Sequence, residues 1–237
     1  ITQLRADNRK RIHLQIVAFA TSSAARGDPE HARQLLEGAI AAGADCIGGT
    51  PNLAPDPRQY IEMLLDVAEK HDRLVDVHID ETLDPEARWF DALVQSTRRR
   101  GLGGRVVASH VCSLGALPHD EARRSIDAAA QAGVGICTLP AANLFLQGRD
   151  QTGLVPRGLT RVKDMLAAGV PVATASDNIH DAFVPVGSGD TLEIARWTLL
   201  AAHLLQDAGA QAFDMITRAP AMLMGLGPDH GLQAGAW

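Results

Sequence analysis

Gly27 to Gly49 read GDPEHARQLLEGAIAAGADCIGG. Asp28 is suited to cap a helix N-terminus, and Pro29 suits the first helical position, where its missing N–H costs nothing. The apolar residues that follow keep helical spacing up to Gly43. Glycine enters the left-handed conformation that ends a helix without steric cost. A short run with almost no polar side chains, ADCIGG, comes next and predicts a buried strand. The same unit recurs along the chain. Helix starts are expected at APDPRQYIEML, LDPEARWFDAL and LPHDEARRSI. Strands are expected in HDRLVDVHIDE, which lacks the glycine, and in GLGGRVVASH, QAGVGICTLP and AAGVPVATASD. With an opening strand in IHLQIVAF, six strands are predicted, at about 12–19, 44–49, 74–80, 105–110, 134–139 and 171–176. Short apolar strands alternating with helices imply a parallel sheet covered on both faces. A dinucleotide-binding sheet should carry GxGxxG after its first strand, and none is present. The reading is therefore α/β, a (β/α)8 TIM barrel with two of its strands missing from this chain.

Composition narrows the function classes. The 237 residues are 46% hydrophobic, enough for one large core. The formal charge is -6, from 28 acids and 22 bases, and aromatics make up 4%. Basic clusters occur at Arg9-Lys10-Arg11 and Arg98-Arg99-Arg100, where helices should end. No basic face with interleaved aromatics is evident, so nucleic acid is not an expected partner. No uncharged apolar run reaches membrane-spanning length, so no membrane is expected either. Cys46, Cys112 and Cys137 stand far apart, which favours reduced core thiols in a cytoplasmic protein. The opening ITQLRADNRKR reads as mid-helix and GLQAGAW stops without a cap, so both ends read as cuts through a larger protein.

Alternation along a strand places polar residues at shared ends. Val106, Ala108 and His110 share a face, as do Ala173, Ala175 and Asp177. So do Asp76, His78 and Asp80, and likewise His13, Gln15, Val17 and Phe19. A His, a His and an Asp thus reach the C-terminal ends of three strands, the face where barrel enzymes build their sites. Each residue has a plainer reading. Asp177 suits a helix cap, Glu81 a first helical turn, and Gln15 the satisfaction of backbone groups. Taken together, N and O donors at one end of parallel strands suit Zn²⁺ or Fe²⁺.

VDVHIDE, ASHVCSL, LPAANLFLQGR and TASDNIHDAFVPVGSGD resemble the cytosine deaminase group of the amidohydrolase superfamily. LQIVAF and PRGLTRVKDML resemble it too, in the same order. The resemblance implies a (β/α)8 barrel of amidohydrolase type with one divalent metal ion, Fe²⁺ or Zn²⁺. It assigns the barrel to residues 1–225 and the start of a small β domain to 226–237. The family's HxH ligand pair is absent, and its first two strands would lie upstream of Ile1. His78 matches the strand-5 metal ligand. Asp177 matches the strand-8 aspartate, which binds metal and takes a proton from the attacking water. His110 matches the histidine that orients that water, and Glu81 the carboxylate that shuttles a proton to the ring nitrogen. Gln15 matches the glutamine that hydrogen-bonds the base. Phe183 stands where the family places a ring near the substrate, or packs as a loop hydrophobe.

Asn178 departs from the pattern, since the best-known cytosine deaminases carry an acid there. An amide donates and accepts where a carboxylate only accepts, so position 178 bears on which ring is read. Ring-opening relatives often use a carboxylated lysine on strand 4; ADCIGGTPN has none, which favours one metal and deamination. Gly48 and Gly49 there either admit a ligand or relieve crowding. The expected activity is hydrolytic release of ammonia from a small cytosine-like heterocycle, as in pyrimidine metabolism. The alternatives are hydrolysis of a cyclic amide or an N-substituted triazine or pyrimidine, and a non-catalytic barrel homologue. Association into a homo-oligomer stays open. The segment alone is expected to be unstable or inactive, because six strands leave two open edges.

Overall fold

In the computed structural model the described residues are 1–20, 26–205 and 207–227. Among them no helix is long and apolar enough to cross a membrane. All six predicted strands form. They divide between two compact units, residues 1–78 and 79–237.

The first unit carries α1 (Thr2–Asn8), β1 (Val17–Phe19), α2 (Pro29–Ala41), β2 (Cys46–Gly49), α3 (Pro57–His71) and most of β3 (Leu74–Ile79). Its strands are parallel and ordered β1-β2-β3, with Val17 opposite Cys46 and Cys46 opposite Leu74. Both Asp-Pro starts act as read. Asp28 accepts from the His31 N–H and Asp56 from the Gln59 N–H, each at 2.9 Å. Helix α3 ends without glycine, because Asp72 itself takes the left-handed conformation at φ 52°. Leu36, Ile47, Ile61, Leu64 and Leu65 form the buried core between helices and strands.

Strand β1 is shorter than expected. Residues 12–16 are irregular, so His13 and Gln15 precede the strand rather than sit on it. The Asp45 carboxylate accepts from the Ile16 N–H at 2.8 Å and pairs with Arg5, which diverts this segment from a sheet ladder. Gly48 and Gly49 relieve crowding. A Cβ at Gly48 would collide with the Asp76 carbonyl and the Phe19 ring, and one at Gly49 with the Tyr60 hydroxyl.

The second unit carries α4 (Trp89–Arg100), β4 (Val106–His110), α5 (His119–Ala132), β5 (Gly135–Thr138), α6 (Pro140–Leu146), α7 (Val162–Ala167), β6 (Val172–Thr174), α8 (Thr191–Ala201), α9 (Ala208–Ile216) and α10 (Arg218–Leu223). Its strands are parallel and ordered β4-β5-β6. Gly101 and Gly133 end α4 and α5 in the left-handed conformation, as their positions predict. Phe90, Leu93, Ile126, Ile136 and Met165 are fully buried here.

The LDPEAR start is a correction. Asp84 and Pro85 form a turn, with the Glu86 N–H donating to Asp84, and α4 begins at Trp89. The winning cap comes from the end of β3. Buried Asp80 accepts from the Trp89 N–H at 3.2 Å and the Phe90 N–H at 2.9 Å. Residues 228–237, most of the expected start of a small β domain, lie outside the described residues.

Candidate active site

The last residues of the strands in the second unit leave the sheet abruptly. Asp80, His110, Val111 and Asp177 all have left-handed backbones, with φ of 51°, 71°, 48° and 61°. For side chains other than glycine this is unusual, and for β-branched Val111 it is an outlier. Strained backbone of this kind costs about 1–3 kcal/mol per residue and persists where surrounding bonds over-determine it. Those bonds are present. The Val111 N–H donates to the Ile79 carbonyl at 3.0 Å, and the Ser113 N–H to the Asp80 carbonyl at 3.1 Å.

The strain turns three predicted side chains toward one another. His110 is buried. Its Nδ1 lies 3.6 Å from Glu81 Oε1 and its Nε2 lies 3.9 Å from Asp177 Oδ2. Glu81 and Asp177 are themselves mostly covered, with side chains 28% and 14% exposed. Burial, reinforced by the negative field of Asp177, pushes the Glu81 carboxyl up to about 7. Near neutral pH it is therefore a proton donor as well as an acceptor.

A fourth residue belongs to this cluster and carried no sequence signal of its own. Asn143, buried in α6, places its Nδ2 3.0 Å from His110 Nδ1. If the amide donates, the imidazole proton sits on Nε2, facing Asp177; a flipped amide reverses the tautomer. Asn143 Oδ1 is buried with no hydrogen-bond partner among the described residues.

Other motif residues hold the loops around the cluster. Gln147 donates to the Glu81 carbonyl at 3.3 Å. Arg161 Nε donates to the Leu114 carbonyl at 2.9 Å, and Arg157 bonds the Leu144 carbonyl. These cationic and amide side chains bond backbone carbonyls of the loops and helix ends.

Asn178, Phe183, His78 and Gln15 complete the predicted set. Asn178 follows Asp177, but its amide donates to Asp181 at 2.6 Å. Phe183 is 63% exposed, so it does not pack as a loop hydrophobe. In the first unit, His78 is half-buried and meets the Phe19 ring edge-on, with centroids 5.0 Å apart. Gln15 Oε1 lies 3.7 Å from Cys46 Sγ. Cys46, Cys112 and Cys137 are thiols, not disulfides. Burial raises the Cys46 thiol to about 11 and lifts Cys112 further above its ordinary range, so both are inert packing groups.

Among the described residues, no three or more His, Cys, Asp or Glu side chains form a ready-made metal cage. The donor chemistry nevertheless suits a divalent ion. Asp177 raises the proton affinity of Glu81 across a buried imidazole, and a cation at this centre would neutralise that negative field.

A pterin deaminase of Rhizobium rhizogenes is 36% identical over 187 residues, covering 78% of this chain and 42% of its own. A solved 5-methylcytosine deaminase of Klebsiella pneumoniae, liganded with 5-fluorocytosine, superposes with a TM-score of 0.92 at 33% identity, over 99% of this chain and 57% of that one. A solved N-isopropylammelide isopropylaminohydrolase of Burkholderia multivorans gives 0.82 at 30% identity, over 99% and 57%. The chain thus spans about half the length of the relatives it matches. The likeness gives the fold class as α/β, of the amidohydrolase (β/α)8 type. The sequence profile of the amidohydrolase family matches residues 3–237, so the chain belongs to that family.

Proposed function

We propose that this chain is the barrel portion of a metal-dependent hydrolytic deaminase acting on an amino-substituted nitrogen heterocycle of cytosine-like size. One observation carries the reading: a buried imidazole held between two covered carboxylates at 3.6 and 3.9 Å, at the C-terminal ends of parallel strands. The names of the relatives support it. Two of them remove an amino group from a heterocycle, 5-methylcytosine in one and a pterin in the other.

By resemblance, Asp177 and His78 are the residues assigned to a single Fe²⁺ or Zn²⁺. When bound, such an ion supplies Lewis acidity that makes water nucleophilic near neutral pH. Asp177 takes one proton from the attacking water, and His110 orients that water. Glu81, protonated at the start, gives its proton to the ring nitrogen beside the amino-bearing carbon. Glu81 regains a proton, the second one from the water, and passes it to the amino group, which leaves as ammonia; the proton on Asp177 then returns to Glu81 and restores both carboxyls to their starting states. Overall, water and an amino-substituted ring yield a ring carbonyl and ammonia. Proton transfers of this kind contribute roughly 10²–10⁴-fold each. Gln15, Asn178 and Phe183 are assigned to the substrate, as groups that fix the ring's position.

The test is a panel of amino-heterocycles, including cytosine, 5-methylcytosine and pterin, assayed for ammonia with the metal-loaded full-length protein. Release from one or more rings is expected, and none from any would overturn the reading. A second reading has one specific observation behind it. The Burkholderia relative acts on N-isopropylammelide, so release of an alkylamine is the competing outcome of the same panel.

A further inference from the structure

Helix α6 is tied to the cluster at two points one turn apart. A single residue, Leu139, separates it from β5, and β5 pairs with β4, the strand that ends in His110. Asn143 Nδ2 lies 3.0 Å from His110 Nδ1, and Gln147, four residues on, donates to the Glu81 carbonyl at 3.3 Å. Both members of the first pair are buried. Among the described residues the imidazole is the one hydrogen-bond partner of the Asn143 side chain, whose oxygen is buried without any. The other ring nitrogen, Nε2, lies 3.9 Å from Asp177 Oδ2. That is too far for a direct bond, and it admits one oxygen bonded to both groups at about 2.8 Å. An ionised carboxylate only accepts, so a bare Nε2 would set lone pair against lone pair, whereas an N–H there faces the charge favourably. With the ring proton on Nε2, Nδ1 presents a lone pair inside the protein and needs a donor. The Asn143 amide supplies it.

We propose that Asn143 is a positioning residue: by donating to His110 Nδ1 it fixes the imidazole as the tautomer with its proton on Nε2, so that His110 holds the oxygen of the attacking water and leaves that water's first proton to Asp177. The consequence for the water rests on the deaminase reading above. In this tautomer the ring has no lone pair toward Asp177, so it donates to the water and cannot act as its base. The water's protons are then left for Asp177 and Glu81. The opposite tautomer would place a second base beside the first and let the imidazole compete with Asp177.

Nitrogen NMR reads the tautomer directly, in full-length, Zn²⁺-loaded protein carrying isotope-labelled histidine. The His110 signals are identified by their loss in His110→Gln. In the parent, Nε2 should carry the proton and Nδ1 should be bare. Asn143→Asp exchanges the donor for an acceptor of nearly the same shape, so Nδ1 should become protonated. In that variant kcat for the best ring substrate should fall about 10- to 100-fold, with KM within about threefold of the parent. A parent spectrum with Nδ1 protonated or Nε2 bare overturns the proposal. So does an Asn143→Asp variant that leaves Nδ1 bare, because the amide then does not set the tautomer. A variant whose Nδ1 has gained the proton and whose kcat is unchanged overturns it too, because the tautomer then does not bear on the reaction. Should Asn143→Asp fail to fold, the parent spectrum decides. A parent protein with Nδ1 bare that releases no amine from any ring sinks the deaminase reading and, with it, the consequence for the water, while the bond from Asn143 to the imidazole is still judged by the spectra.

Discussion

Two side chains in the cluster carry predictions of their own. Glu81 is the more exposed to test, because its carboxyl is raised from an ordinary 4.5 to about 7. A carboxyl whose folded value is raised favours the folded state while protonated. That contribution is complete below about pH 4.5 and is lost as pH climbs through about 7. Glu81→Gln removes the dependence. In the metal-free protein it should match the parent near pH 4 and exceed it at pH 8 by on the order of 2 kcal/mol, discounted for partial exposure. Denaturant melts at the two pH values read this out. With metal present, the same variant should keep its fold and lose turnover by roughly 10²–10⁴-fold. If His110 acts as proposed, Asn143→Ala should lower kcat about 10- to 100-fold, the usual cost of releasing a supporting partner. The pH profile separates the roles: Asn143→Ala should broaden or shift it, whereas a purely packing role would lower Tm and leave the profile unchanged. Asn143 was invisible in the sequence, because a lone amide inside LPAANLFLQGR has neither charge nor periodicity to mark it. Glu81, His110 and Asp177 were visible because charge at the end of an apolar strand is costly without a purpose.

Among the elements, α4 and the loop after β6 show what local patterning captures and what it misses. The Asp-Pro starts of α2 and α3 were legible because each cap is made within three residues of itself. The LDPEAR start failed because its competitor, Asp80, lies nine and ten residues from the groups it caps. No window of helical length weighs such a contact. Asp80→Ala should leave two N–H groups at the head of α4 without their acceptor, costing about 1–3 kcal/mol. For a chain of this size that is roughly 3–9 °C in Tm, with Asp80→Asn losing less because its amide oxygen still accepts. Thermal melts of the two variants check the order. Gly187→Ala should displace the Asn178 backbone it would strike, raising KM for the best ring substrate severalfold while kcat moves less.

On the scale of the whole molecule, the periodic alternation of strand and helix was legible across the described residues, because parallel α/β folds write it as apolar runs punctuated by glycine. The shortness of β1 was not, since Asp45 and Arg5 act on it from outside the strand pattern. Removing the ion is the global test of the proposed chemistry. Chelation of the full-length protein should abolish ammonia release and lower Tm, and one equivalent of Fe²⁺ or Zn²⁺ should restore both, because an ion that binds only the folded state stabilises it by mass action. Activity that survived chelation would remove the ion from the reaction. The left-handed residues at the strand ends have a further consequence for how such a protein changes over time. At Val111 a glycine would relax the backbone, but it would also remove a fully buried side chain. The two effects oppose each other, so a valine kept at that position across a lineage would mean that packing at the end of β4 outweighs an easier backbone.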